Sequence, residues 1–229
     1  MKSRRRRAVW EARRRIPWRV LVGVLALLLA AIAAPSIWSE GADASNSSAG
    51  LSPQASQALI SKLQILNGQG AKAANSRRSI VITETEANSY LKYHGKEFLP
   101  PGVSDPTIRI TPDRVIGAAN VNFGEFSSAE SNPKDWGPKI LAAMFKDTQR
   151  FVVASKVQSQ DGQAKVQIES VAVGATRIPD WLIEFVLENY LQPRYKFDLS
   201  KPLPLPDHVT RIQLGSGRAT FIRSPVKAP

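Results

Sequence analysis

The chain has 229 residues, of which 43% are hydrophobic and 22% are charged. These proportions exclude a wholly disordered chain, and the length suits one anchor plus one ordinary domain rather than two large domains. Because the sequence contains no cysteine, thiol catalysis, Cys-ligated zinc and Cys-ligated iron–sulfur clusters are excluded.

The net charge of +12 is concentrated at the N-terminus. Residues 1–19 hold nine of the 31 basic residues and one acid, Glu11, whereas the remainder holds 22 basic and 18 acidic residues. A nucleic-acid-binding domain would carry its surplus of positive charge within the folded part. The distribution therefore predicts no nucleic-acid partner.

An uncharged apolar segment, 20–39, follows the basic cluster. Twenty helical residues span about 30 Å, which matches the hydrocarbon core of a bilayer. The positive-inside rule places residues 1–19 in the cytoplasm, and indole rings favour the two membrane interfaces. The sequence predicts a single-pass anchor in the inner (cytoplasmic) membrane, with the C-terminal domain extracytoplasmic or periplasmic, and with these anchor residues: Trp18, Val20, Leu25, Leu28, Ile32 and Trp38.

A cleaved signal peptide is the alternative, because Ala31-Ile32-Ala33 resembles a small-x-small cleavage site. The long basic region and the apolar run that continues to Trp38 favour a retained anchor. Residues 40–78 are predicted to form a tether that contains one amphipathic helix, which Ser52 and Pro53 begin and Asn67-Gly68 ends. Whether this helix packs on the domain or extends the stalk is left open.

The main domain is predicted to span 79–223, followed by a tail over 224–229. A strand over 79–82 leads into a helix that begins with a capping box, Thr83 and Glu86, and ends near His94. Two strands over 107–111 and 114–126 and a helix over 138–149 are expected next. A helix over 181–191 is apolar on nearly all sides, so it should be buried or border an apolar cavity. A final hairpin turns at Gly215-Ser216-Gly217.

The clearest hairpin turns at Asp161-Gly162, a strong two-residue turn sequence, between strands over 151–160 and 163–173. This register pairs Val157 with Val166 and Ser155 with Ile168. One face is then apolar and the other is polar, which is typical of an antiparallel sheet with one covered face. The element order predicts an α+β fold, with a twisted antiparallel sheet and helices on its covered face.

No catalytic motif was found. His94 and His208 are the only histidines, and neither lies in a sequence pattern typical of metal ligands. Nucleophile-elbow, Walker A, zincin and dinucleotide-binding sequences are absent. We therefore expect a protein that is not an enzyme, without catalytic residues, a metal or a cofactor.

Two segments resemble a known family. The sequence from Ile82 to Leu91, followed by Leu99-Pro100-Pro101-Gly102-Val103, resembles the strand, T-x-x-E-x-N-x-Y-L helix and P-G-V opening of YpmS-like small anchored bacterial proteins. The part from Ile178-Pro179 to the last hairpin resembles their ending. These proteins are similar to the tubular lipid-binding (TULIP) superfamily. The resemblance implies a long, highly curved sheet wrapped around helices, an apolar groove for lipid tails, and packing or hydrogen-bonding roles for Asn88 and Tyr90.

These observations predict a membrane-anchored, non-catalytic domain that binds lipid acyl chains in an apolar groove. The expected ligand is a phospholipid or a fatty acid. The alternative is a structural or interaction protein of a bacterial cell-envelope complex, in which the same surfaces form a closed core and the domain binds envelope proteins. The predicted groove lining is Phe151, Val153, Val157, Val166, Ile168, Trp181, Leu182, Phe185 and Val186.

Overall fold

The computed structural model describes residues 50–67, 79–99, 101–125, 143, 145, 147–188, 199–206 and 208–224. The helices are α1 (Pro53–Leu66), α2 (Glu84–His94) and α3 (Asp180–Val186), with a 3₁₀ turn at Gly95–Glu97. The strands are β1 (Ser79–Thr83), β2 (Val103–Ile110), β3 (Val115–Asn122), β4 (Thr148–Gln160), β5 (Gln163–Val173), β6 (Thr176–Ile178), β7 (Leu203–Pro204), β8 (Val209–Gly215) and β9 (Arg218–Arg223).

The predicted α+β class with antiparallel strands is confirmed, but the described strands form two sheets rather than one. The small sheet has the order β1-β9-β8, and the large sheet has the order β2-β3-β4-β5-β6, with β7 paired to β5. Every pair is antiparallel. β1 pairs with β9, so the first and last strands of the predicted domain meet in the small sheet.

The two helix starts for which the sequence predicted a cap are confirmed. The Ser52 hydroxyl accepts a hydrogen bond from the Ala55 N–H at 3.1 Å, with proline in the first turn. At α2, Thr83 Oγ1 accepts from the Glu86 N–H at 3.2 Å, and the Glu86 carboxylate accepts from the Thr83 N–H at 2.9 Å. These bonds satisfy N–H groups that have no partner within a helix.

Helix α1 packs on the domain, which answers the question left open by the sequence. Leu59 and Leu66 are buried with residues of both sheets. Lys62 Nζ lies 2.5 Å from Glu86 Oε1 and 2.6 Å from the Val81 carbonyl oxygen, so one ammonium group joins α1 to both β1 and α2. The Ser52 N–H donates to Ser89 Oγ at 3.2 Å.

Helix α2 covers the outer edge of β2 with polar side chains. Asn88 donates to the Ile108 carbonyl at 2.9 Å and accepts from the Ile108 N–H at 2.7 Å, as a neighbouring strand would. Glu84, one turn earlier, accepts from the Ile110 N–H. An exposed strand edge invites pairing with another chain, and these two side chains occupy it. The hydrogen-bonding role that the resemblance implied for Asn88 is therefore observed.

The tip of the β4–β5 hairpin contacts the edge of β8 in the same manner. Ser159 Oγ donates to the Ile212 carbonyl at 2.9 Å and accepts from the Ile212 N–H at 2.7 Å. The Gly162 N–H donates to the Thr210 carbonyl at 3.0 Å. The small sheet is thereby joined to the large one through hydrogen bonds that do not form a continuous ladder.

One predicted element was wrong at its end, and two short strands were not predicted. The helix predicted over 138–149 does not reach its predicted end, because Asp147 has a φ of +62°, which a right-handed helix does not contain, and β4 begins at Thr148. Strands β6 and β7 were not predicted, since each is only two or three residues long.

Among the described residues, no helix is long and apolar enough to cross a membrane. The predicted anchor over 20–39 lies outside the described residues, as do all six of its named positions.

The buried apolar side chains form two groups. The first cluster lies between the small sheet, α1, α2 and the adjacent ends of β2 and β3, and its buried members are Leu59, Leu66, Ile80, Ile82, Ala87, Leu91, Ile108, Ile110, Val115, Val209, Ala219 and Phe221. The second cluster lies on the large sheet beside α3, and its buried members are Val121, Phe123, Val153, Val171, Val173, Ile178 and Leu182.

Candidate functional site

The candidate site is the second cluster, because it contains or contacts four of the eight predicted groove residues whose side chains are described: Phe151, Val153, Ile168 and Leu182. The Asp161-Gly162 turn builds this part of the sheet. Both residues have positive φ, +51° and +77°, which is the conformation of a two-residue type I′ hairpin turn. The turn fixes the register, and the predicted pairs Val157–Val166 and Ser155–Ile168 are both confirmed.

A β-bulge extends the apolar face beyond those pairs. The register of β4 and β5 shifts between Ala154 and Ser155, so Glu169 is an extra residue on β5. An extra residue reverses the in–out alternation of the strand that carries it. Val171 and Val173 therefore lie on the same face as Ile168, which the uninterrupted alternation of the sequence did not predict.

The five predicted strand residues share one face but not one cluster. Val153 is fully buried in the second cluster, and Phe151 and Ile168 are half-buried against it. Val157 packs on the first cluster instead. Val166 is buried on the same face of the sheet. The predicted groove lining thus divides between two groups of side chains.

Ser155 interrupts the inner face between Val153 and Val157. Its hydroxyl is fully buried and has no hydrogen-bond partner among the described residues. Leaving a hydroxyl buried and unpaired costs about 1–3 kcal/mol. The inner face is therefore apolar along its length except at this point.

Helix α3 presents two different sides. Leu182 is 5% exposed and Ile183 is half-buried, and both contact the second cluster. Trp181 is 67% exposed and Phe185 is 40% exposed. Residues three or four apart lie on the same side of a helix, so the two rings form one apolar surface, and Phe185 lies beside Leu182 at the border of the second cluster.

The sequence predicted a helix that is buried or borders an apolar cavity, and Trp181, which is 67% exposed, is not buried. Helix α3 directly follows β6, which is the last strand of the large sheet, so the sheet covers only one side of the helix. The side chain of Val186 lies outside the described residues, as does the predicted continuation over 189–191.

Sequence reasoning missed the aromatic pair at the end of β3. Phe123 is 2% exposed and packs against Phe145, with ring centroids 5.3 Å apart. The alternation in β3, in which every second residue from Val115 to Val121 faces inward, continues to Phe123 and could have identified it. Phe145 lies within the helix predicted over 138–149, but a helical pattern in one segment does not identify Phe123 as a partner.

The two histidines lie apart from the second cluster. His94 stacks on Tyr90, with centroids 5.2 Å apart, and its Nδ1 lies 3.4 Å from Glu97 Oε1. Tyr90 also stacks on Phe98, which agrees with its expected packing role. The pKa of Tyr90 is raised, mainly because the side chain is buried and to a smaller extent because the Glu97 carboxylate lies nearby. Within the described ranges, no group of three His, Asp or Glu side chains is arranged to hold a metal ion.

No known family model matches the sequence, and a search of curated proteins finds no match. Among solved structures, the crystal structure of a lipopolysaccharide binding protein is similar to this chain at 11% sequence identity, with a TM-score of 0.22. The similarity covers 66% of this chain and 41% of that chain, so this chain matches less than half the length of that protein.

Proposed function

We propose that this protein binds lipid acyl chains at the second cluster without catalysing a reaction. We also propose that a helix over 20–39 anchors it in a bacterial inner membrane, with the described residues on the extracytoplasmic side. The observation that carries acyl-chain binding is the pair of exposed rings on α3. Trp181 and Phe185 are exposed on this helix, and Leu182, three residues before Phe185, is buried in the second cluster, so the exposed rings adjoin the cluster.

An acyl chain requires apolar walls and few polar groups. The second cluster is bordered by half-buried apolar side chains that a ligand could cover further: Val103, Phe145, Phe151, Ile168 and Ile183. Each CH₂ group removed from water contributes about 0.8 kcal/mol, so a chain of ordinary length gains affinity without any specific polar contact. Displacement of α3 relative to the strands would open this border.

The membrane anchor rests on the sequence. The segment over 20–39 carries no charge and follows nine basic residues. The sequence over 39–52 is polar, and we propose that it is the tether, because α1 begins directly after it and packs on the domain. A flexible tether of this length spans about 20 Å, which would keep the second cluster close to a supply of lipid.

The test is photolabelling of the full-length chain in bacterial membranes with a fatty acid that carries a diazirine on its alkyl chain. Labelled peptides would be mapped by mass spectrometry. We expect labels within 151–173 and 180–188. Replacing both rings, Trp181→Ala with Phe185→Ala, should lower this labelling about tenfold, because losing burial worth about 1.4 kcal/mol changes affinity by that factor.

Tyr93→Ala is the matched control, since Tyr93 is another exposed ring, 43% exposed, at the end of α2. Its labelling should equal that of the unchanged protein. Labels confined to 20–39, or equal labelling in the double variant, would contradict acyl-chain binding at the second cluster. The exposed rings would then be assigned to the alternative, contact with an envelope protein.

A further inference from the structure

The outer face of the large sheet is framed by cations. Residues paired across an antiparallel sheet lie on the same face, so the register defines this surface. Arg109, Ile116, Ala154 and Ser170 form one row, and Thr107, Ala118, Val152, Ala172 and Arg177 form the next. The cationic frame, as we call it, consists of Arg109, Arg114, Arg150, Lys156, Lys165 and Arg177.

The side chains inside this frame carry no charge, and most of them are small. These residues are aliphatic or hydroxyl-bearing, and four of them are half-buried: Ile116, Ala118, Val152 and Ala172. Ala154 and Ser170 lie between them and are buried, and Ser170 Oγ has no hydrogen-bond partner in the described part of the chain. Short side chains in the middle and long cationic ones at the border make a shallow surface.

The acidic residues on this face form ion pairs or hydrogen bonds with neighbouring side chains. Glu169 contacts Lys156 Nζ at 2.7 Å and Arg114 Nη1 at 3.5 Å. Asp113 contacts Arg114 Nη2 at 2.7 Å, which with the Thr111 hydroxyl lowers the Asp113 pKa to about 2. Asp105 accepts a hydrogen bond from Asn120 at 3.0 Å.

Four cations of the frame have no acidic partner among the described residues, and one of them, Arg150, donates instead to Thr107 Oγ1 at 3.1 Å and to Asn120 Oδ1 at 3.4 Å. Within the described ranges, Arg109, Lys165 and Arg177 form no ion pair, and all three are exposed. They lie on β2, β5 and β6, so they are spread across the width of the sheet. The outer face therefore carries a distributed positive charge.

We infer that the outer face of the large sheet docks on a membrane surface containing anionic phospholipid headgroups. Cations spread around a shallow apolar surface suit many phosphate groups in a plane better than one phosphate in a pocket. The tether of about 20 Å would keep the domain within reach of that plane. This inference rests on the proposed anchor but not on acyl-chain binding, because the second cluster lies on the opposite face.

The absence of cysteine allows a single fluorescent label to be placed without background. One label would replace Gln167, which is exposed on the outer face opposite Lys156, and another would replace Gln213, which is exposed on β8. The full-length chain would be reconstituted in vesicles containing a lipid with a nitroxide headgroup, either in phosphatidylcholine alone or with phosphatidylglycerol added. We expect phosphatidylglycerol to increase quenching at position 167 but not at 213, and added salt to reverse the increase.

Charge reversal provides the decisive comparison. Arg109→Glu with Arg177→Glu should lower the ratio of docked to undocked protein about fivefold for each cation removed. Arg109→Lys with Arg177→Lys should preserve docking, and Arg211→Glu with Arg218→Glu, which alter exposed cations of the small sheet, should leave it unchanged. Equal quenching in neutral and anionic vesicles would overturn the inference. So would shielding of position 167 that occurs only in native membranes, since the partner would then be a protein.

Discussion

Two buried serines differ in how their hydroxyl groups are satisfied, and this difference has a measurable consequence. Ser155 and Ser89 are both fully buried. The Ser89 hydroxyl accepts from the Ser52 N–H, whereas the Ser155 hydroxyl has no partner among the described residues. Ser155→Ala should therefore raise the free energy of unfolding by about 1 kcal/mol, and Ser89→Ala should lower it by about as much.

Urea unfolding of the full-length chain, followed by far-ultraviolet circular dichroism, measures both changes. Each serine variant serves as the control for the other, because both lose the same atom from a buried site. If Ser155→Ala destabilised the protein as much as Ser89→Ala does, the Ser155 hydroxyl would have a partner, and the interruption of the inner apolar face would need another explanation.

At the scale of the element, α1 is part of the folded domain rather than a spacer. Leu59 is 4% exposed against residues of both sheets. Leu59→Ala should lower the free energy of unfolding by about 2–5 kcal/mol, because a cavity would remain where the side chain was removed. Gln64→Ala, at an exposed position of the same helix, should change it by less than about 0.5 kcal/mol.

Hydrogen exchange distinguishes the two arrangements of α1. We expect α1 amides to exchange together with those of β1 and α2, since Lys62 and Leu59 connect the three elements. Rapid exchange of α1, with unchanged protection in both sheets, would show that the helix opens independently of the domain.

The elements that the sequence predicted best were those with local causes. The Asp161-Gly162 turn fixes the β4–β5 register because its two positive φ angles depend on those two residues. The capping box at Thr83 and Glu86 is equally local. The bulge at Glu169 was not predictable in this way, since the residues around it keep a simple alternation in the sequence. The exposed position of Trp181 was not predictable either, because it depends on where α3 meets the edge of the sheet.

At the scale of the whole molecule, the division into two sheets could not be predicted from the sequence. β1 and β9 pair although most of the domain separates them in the chain, and no pattern within either strand specifies the other. The side chains that join the sheets also gave no clear indication. Ser159 hydrogen-bonds to backbone groups at the edge of β8, and Asn88 hydrogen-bonds to backbone groups at the edge of β2. Neither serine nor asparagine is specific to such a role. Consequently the candidate site was predicted as a list of residues and not as one surface.

Lipid binding at the second cluster is the central claim, and native mass spectrometry with lipid extraction tests it most directly. The full-length chain would be purified from a bacterial host, beside the Trp181→Ala/Phe185→Ala variant. We expect a near-stoichiometric phospholipid or fatty acid on the unchanged protein and its loss from the variant. A ligand-free mass that stays the same after incubation with lipid vesicles, or lipid retained equally by both proteins, would contradict it.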